Sequence, residues 1–338
     1  MSYREDFFRM LEGKTPHHDI LSYDFAPNPA PGPEPAGVVM LMPSFSDLRK
    51  RMETGFDAWG LEYVWDSNKI GMIHKPGKYL LTDITKWRNV VKAPDMSGYD
   101  WAEMSKKDWE ATSFNKDTQV SLLMSLLGGF FMHIVGFMGF EGALLAMHEE
   151  PEAVKEMFNY IADYECMMVE NIGKYYKPDI INLGDDTATE RSPFVSHIMF
   201  KELLLPFYKR VYDAAKKHGM IIAYHNCGKC DLFMDDMVGI GVQIWNCATP
   251  ANDLAAFKKK HNNKVIIEVL PRLYPTFTEK EARQVVRDTI DAYAKEGAFV
   301  WVGFVTGSVM EDDSGVKQIE EWIRDEVKKY GKGFYSKQ

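Results

Sequence analysis

Short apolar runs alternate with amphipathic stretches through the second half of the chain. Ile180 to Leu183, Met220 to Tyr224, Val242 to Trp245, Lys264 to Val269 and Phe299 to Phe304 each read as a buried strand, and each is followed by a helix-period segment. Five βα units in succession predict a parallel sheet with helices packed outside it. The helix ends carry their own signals. Glu150-Pro151-Glu152 puts proline in a first turn, Thr278-Glu279-Lys280-Glu281 fits a capping box, and Gly219 follows Lys216-Lys217-His218 as a stop.

The first half is less regular. Apolar runs at Ile20 to Phe25, Gly37 to Met42 and Phe131 to Phe137 supply three further strands and bring the count to eight, so the expected fold is an α/β TIM (β/α)8 barrel formed by residues 1–338 as a single domain. Within residues 1–115, an N-terminal extension is followed by a small antiparallel β decoration. Its predicted strands are Leu61 to Trp65, Ile70 to His74 and Tyr79 to Thr82, with turns at Asp66-Ser67-Asn68 and Pro76-Gly77. Pro27 to Pro35 reads as a loop, and no solenoid-type repeat is visible.

Composition narrows the class. The 338 residues are 46% hydrophobic and 26% charged, which suits one large barrel. A formal net charge of -9 disfavours a nucleic-acid groove, since neutralising phosphates needs clustered Lys and Arg. The one basic run, Lys258-Lys259-Lys260, reads as a solvated helix face. No run of about 18 consecutive apolar residues occurs, and Met1-Ser2-Tyr3-Arg4-Glu5-Asp6 has no signal-peptide pattern. A cytoplasmic protein without a membrane partner is expected.

Polar residues gather where the predicted strands end. Gly184-Asp185-Asp186 follow one strand, His225 and Cys227 the next, Asn246 and Cys247 the one after, and Glu268 lies in the fourth. His225 and Cys227 stand two apart in an extended segment, so their side chains share a face. Neutral imidazole and thiolate are both zinc ligands, and Cys247, twenty residues beyond Cys227, sits one βα unit away. The reading is an open zinc site made by His225, Cys227 and Cys247, with Glu268 as a fourth ligand or as a residue that holds one. Four cysteines, three of them close together, suit a metal better than a disulfide scaffold; Cys166 reads as a packing residue. Cys230 completes a Cys-x-x-Cys unit but reads as a helix start. Asp185 and Asp186 either cap a helix or place one carboxylate in the mouth.

Asp179-Ile180-Ile181-Asn182-Leu183-Gly184-Asp185-Asp186, Ser192-Pro193-Phe194, Pro206-Phe207-Tyr208 and His225-Asn226-Cys227-Gly228 resemble the uroporphyrinogen decarboxylase superfamily. Gly136 to Glu141 followed by Glu150-Pro151-Glu152 is similar to a landmark of the same family. True decarboxylases of that family carry an arginine-rich Arg-Gln-Ala-Gly-Arg motif near the amino terminus, which this chain lacks. Asp57-Ala58-Trp59-Gly60 and the His-x-Cys motif instead resemble the corrinoid-dependent methyltransferase branch, which uses zinc together with a cobalamin protein. There is one departure. The methylcobamide:thiol enzymes take a further cysteine ligand from the last barrel strand, near Val302-Gly303-Phe304 here, and no cysteine follows Cys247.

The resemblance implies transfer of a methyl group from a small methylated donor to the Co(I) corrinoid of a partner protein, with methoxylated aromatics as the first choice and O-demethylation as the outcome. Asp185 or Glu141, if burial raises its pKa, is the expected proton donor to the departing oxygen. Alternatives are a methylcobamide-to-thiol or tetrahydrofolate methyltransferase, a decarboxylase-like lyase using Arg191 and Arg272, and a corrinoid-binding barrel without catalysis. A homodimer is compatible with the resemblance.

Overall fold

The structure, a computed structural model, describes residues 2–24, 37–46, 54–65, 72–125, 127–303 and 314–337. The expected Pro27 to Pro35 loop, the Asp66-Ser67-Asn68 turn, Ile70 and Phe304 lie outside the described residues.

Eleven strands are present among the described residues: β1 (Leu21–Asp24), β2 (Val38–Leu41), β3 (Gly55–Phe56), β4 (Glu62–Trp65), β5 (Met72–His74), β6 (Val120–Met124), β7 (Ile180–Gly184), β8 (Ile221–His225), β9 (Ile244–Ala248), β10 (Ile266–Val269) and β11 (Phe299–Gly303). Eight of them form one parallel sheet in the order β1-β11-β10-β9-β8-β7-β6-β2. The first strand pairs with the last, Leu21 beside Val300, so the sheet curls into a nearly closed TIM barrel. The remaining strands make a separate antiparallel sheet, β3-β4-β5, in the first half of the chain.

Alternation along the strands divides the apolar residues into two cores. Leu21, Val38, Leu122, Ile180, Ile221, Ala223, Ile244, Ile266 and Val300 fill the barrel, whereas Ile181, Leu183, Ile222, Tyr224, Trp245 and Ile267 face the helical layer. The helix Tyr3–Leu11 joins the inner core through Phe7 and Met10. Its Arg4 grips Asp179, just before β7, with two hydrogen bonds of 2.6 and 2.7 Å, and also reaches the Gln119 carbonyl just before β6. These contacts lie at the amino ends of the strands. The extension therefore plugs the barrel's bottom, and the carboxyl ends form the mouth.

Two strand assignments read from the sequence are corrected. Phe131 to Phe137 is not a strand; it belongs to the helix Phe130–Glu149, and the barrel strand is Val120–Met124 instead. The helix is apolar on nearly every side because it is buried on nearly every side, so its sequence has no amphipathic period to betray it. Its start is capped from a distance by Asp185, as described below. Ser121 had broken the apolar run of β6, yet its hydroxyl and N–H both donate to Asp179, which satisfies it inside the sheet. Tyr79 to Thr82 is likewise not the third strand of the small sheet; Gly55–Phe56 fills that place beside β4.

The helix Phe130–Glu149 bends at Gly139, whose φ of 74° lies in the left-handed region. The bend frees the Phe137 carbonyl to accept the Leu81 N–H at 3.0 Å, and the Tyr79 ring lies where a side chain at 139 would stand. Among the described residues this is the one helix long and apolar enough to cross a membrane, and it is mostly buried within the fold. The helix-end signals at Pro151, at Thr278 with Glu281, and at Gly219 all mark ends in the structure.

Candidate metal centre

His225 closes β8 and Cys227 follows it into the loop, so both side chains turn toward the mouth. Cys247 reaches the same point by a different device. Asn246 on β9 already faces inward, and strict alternation would send its neighbour outward to the helices. Opposite them, β10 has one residue fewer: Ile267 pairs with Trp245 and Val269 with Ala248. This is a β-bulge, and Cys247 takes the left-handed backbone conformation within it, with φ 56°. Consecutive side chains thus both serve the mouth, at the expense of a backbone conformation that non-glycine residues rarely adopt.

The donor atoms of His225, Cys227 and Cys247 lie within 4.8 Å of one another, and the Cys227 sulfur is 3.5 Å from His225 Nε2. A tetrahedral cation with bonds of about 2.0–2.3 Å draws such atoms to roughly 3.5 Å apart, a small adjustment. One imidazole nitrogen and two sulfurs are a donor set suited to zinc.

Behind the triad runs a buried chain of hydrogen bonds. His225 Nδ1 lies 2.6 Å from Asn246 Oδ1; the Asn246 amide donates to Glu268 at 2.5 Å; Tyr23 OH donates to the same carboxylate oxygen at 2.9 Å. Because an amide oxygen only accepts, Nδ1 carries a proton, and Nε2 is the nitrogen left to take a cation beside the cysteines. Glu268 is therefore not the fourth member of the cluster. It sits one step back and holds Asn246, which in turn sets the tautomer of His225. Asn246 is the residue whose role the spacing of His and Cys did not reveal; its signal was an amide at a strand end beside two ligand-type neighbours.

Charge and burial act on these groups. Burial alone disfavours a charged His225, but the Cys227 sulfur, Asp186 and Asn246 outweigh it and push the imidazole up to about 10. Contact with Cys247, followed by burial, raises the Cys227 thiol well above its ordinary value. Without a cation, both ligands keep their protons. Burial pushes Glu268 up to about 7, against the bonds from Asn246 and Tyr23.

The two expected proton donors lie elsewhere. Asp185 is 2% exposed, and its oxygens accept Phe131 N–H, Met132 N–H and Tyr208 O–H at 2.6, 2.9 and 2.7 Å. It caps the helix Phe130–Glu149, which precedes it in the chain, rather than the helix that follows. Burial does raise it, to about 7. Glu141 is exposed on that same helix, beyond the Gly139 bend and roughly 15 Å along it from the capped end. The neighbouring Asp186 is the carboxylate beside the triad: it accepts the Cys227 N–H at 2.9 Å and lies 3.8 Å from His225 Nε2, with its side chain nearly half exposed. Cys230 stands at the N-cap position of the helix Asp231–Ile240, makes no side-chain capping bond and is buried, its N–H bonded to Asn252. Of the arginines expected near the mouth, Arg272 is ion-paired with Glu190, and Arg191 is exposed.

A parallel barrel with ligand-type side chains converging at its carboxyl ends defines the class: a TIM barrel whose mouth holds a candidate metal centre. The chain belongs to the uroporphyrinogen decarboxylase (URO-D) family, whose profile matches residues 111–302. Among solved structures it is similar to a methyltransferase from Methanosarcina mazei, with TM-score 0.66 and 11% identity over 98% of this chain and 99% of that one. It also aligns with a family 10 endo-β-1,4-xylanase from Gloeophyllum trabeum, with TM-score 0.39 and 12% identity over 64% of this chain and 69% of that one. No curated protein sequence matches the chain.

Proposed function

We propose that the protein is a zinc-dependent methyltransferase that takes a methyl group from a small methylated donor, a methoxylated aromatic first, and gives it to the Co(I) corrinoid of a separate protein. The observation that carries this reading is the convergence of His225, Cys227 and Cys247, with His225 oriented by Asn246. The fold shared over nearly the whole chain with a Methanosarcina mazei methyltransferase supports it.

An aryl methyl ether is a poor donor because phenolate leaves badly. Zinc in this site would supply Lewis acidity toward the donor's oxygen. In the overall reaction the methyl–oxygen bond breaks, the oxygen keeps the electron pair and takes a proton, and the methyl group forms its new bond to the reduced corrinoid cobalt. The protein's part is to hold the ether still and to bring a proton to it. Asp186, beside the triad and open to the mouth, is the carboxylate placed to relay a proton from solvent toward that oxygen in this reading, while Asp185 anchors the helix next to it.

The family's description favours a second reading, a decarboxylase-like lyase. Such a reaction on a polycarboxylated ring needs several cations at the mouth. Arg272 is already paired with Glu190, which counts against it. The test is zinc content and turnover together. Protein purified without oxygen is expected to hold about one zinc per chain, the capacity of one such site, and to release a phenol from 2-methoxyphenol when a reduced corrinoid protein is supplied. Protein without zinc that releases carbon dioxide from a porphyrinogen would establish the lyase instead.

A further inference from the structure

A second polar feature lies at the same mouth, on its β6 side. Glu165 is fully buried in the helix Pro151–Asn171, and among the described residues no Lys or Arg is paired with it. One oxygen accepts the Gly128 N–H at 2.9 Å. The other, Oε1, has no hydrogen-bond partner; His133 Nδ1 is 4.0 Å away and is engaged with the Gly129 carbonyl at 2.8 Å. Around this carboxyl is a cavity of about 110 Å³ walled by Trp59, Tyr164, Met96 and Met168. Trp59 is fixed there by the Asp57-Ala58-Trp59-Gly60 turn, in which Asp57 Oδ1 accepts the N–H groups of Trp59 and Leu61. Its ring stands edge-on to Tyr164 and His133 at 5.2 and 5.1 Å.

We propose that this cavity binds the oxygen-bearing edge of a single aromatic ring, with Glu165 as the hydrogen-bond donor to a ring oxygen. The proposal rests on the methyl-transfer reading and names where its donor is held. Burial pushes Glu165 up to about 8, so at neutral pH it is a neutral acid. With Oε2 occupied by Gly128, the proton sits on Oε1, a donor with no acceptor among the described residues. A ring oxygen other than the methoxyl oxygen that faces the metal site completes it. A space of this size takes a few water-sized groups, which fits the edge of one ring.

Position agrees. Gly128 packs on Gly184, where a side chain at 128 would lie 3.3 Å from the Gly184 nitrogen, and a side chain at 184 would meet His225 Cβ at 2.7 Å. The cavity at the end of β6 is thus two strand spacings, roughly 10 Å, from His225 at the end of β8.

Calorimetric titration of the whole zinc-loaded protein with 2-methoxyphenol tests this, using wild type, Glu165→Gln, Glu165→Leu and Trp59→Leu. Glutamine keeps a donor at that position and is expected to bind within about threefold of wild type. Leucine removes the donor and weakens binding about tenfold or more. Trp59→Leu alters the partly exposed wall without touching the carboxyl, and is expected to weaken binding similarly even if Glu165→Leu fails to fold. Cys227→Ser keeps ring binding while losing the metal and turnover, which separates failure of this site from failure of the metal reading. Equal affinity in all variants, no binding to wild type, or tetramethylammonium binding that Glu165→Gln abolishes would each overturn the proposal.

Discussion

The two sides of the barrel mouth are built from opposite electrostatic choices. On the β8–β9 side, His225, Cys227 and Cys247 crowd together with their donor atoms turned to one point, and the crowding raises the pKa values of His225 and Cys227. On the β6–β7 side, Asp185 and Glu165 are buried among neutral donors, and burial, with a smaller push from neighbouring carboxylates, raises them to about 7 and 8. Both sides hold protons, for different reasons. The first gives them up to a cation that repels protons from its ligands. The second keeps them until the pH rises, because burial penalises the negative charge by more than the surrounding hydrogen bonds offset. An elevated pKa therefore does not by itself mark the reacting group; what faces it decides.

Removing a ligand is the sharpest test of the first side. Cys227→Ser and Cys247→Ser are each expected to lose the bound zinc and to reduce methyl transfer by about a thousandfold or more, while the fold persists. Metal analysis and circular dichroism check this. Retention of zinc in either variant would remove that cysteine from the site. The next effect is indirect: Asn246→Ala frees the His225 tautomer and should weaken zinc binding by about 10- to 100-fold. Competition with a chelator measures it, and Asn246→Asp, which keeps an acceptor oxygen, should recover part of the loss.

Zinc uptake should also be proton-linked. His225 and Cys227 bind metal only when deprotonated, and both are raised, so affinity rises with pH through the neutral range. Zinc titrations in buffers of different ionisation enthalpy would report the protons released; a pH-independent affinity would contradict the crowded-ligand account.

The smallest expected effect concerns the second side. The pKa of Glu165 is raised above its unfolded value, so its contribution to stability is fully present below the unfolded carboxylate range and is lost as the pH rises through about 8. Glu165→Gln cannot ionise. Its melting temperature relative to wild type should therefore climb between pH 5 and pH 9 by roughly a few degrees. A constant difference across that range would show that Glu165 is already ionised in the folded protein.

The chain's own pattern determined much of this molecule. Five strand–helix units in the second half were legible because each strand is a short apolar run and each helix has one polar face. The helix ends at Pro151, Thr278 and Gly219 were legible because capping is local chemistry. His225 and Cys227 were legible as a pair because spacing of two on a strand fixes a common face.

The rest belonged to tertiary structure. The helix Phe130–Glu149 could not be told from a strand, since it is buried on most sides and its cap is Asp185, more than fifty residues away. Whether Glu268 is a ligand or holds one depended on Asn246 standing between it and His225, a contact across strands that no spacing encodes. Whether Cys247 faces the mouth depended on a bulge, one extra residue on β9 opposite β10, which reverses the alternation that sequence reading must assume. Local order follows from side-chain preference along the chain. Which groups meet at a point follows only from how distant segments are registered against one another.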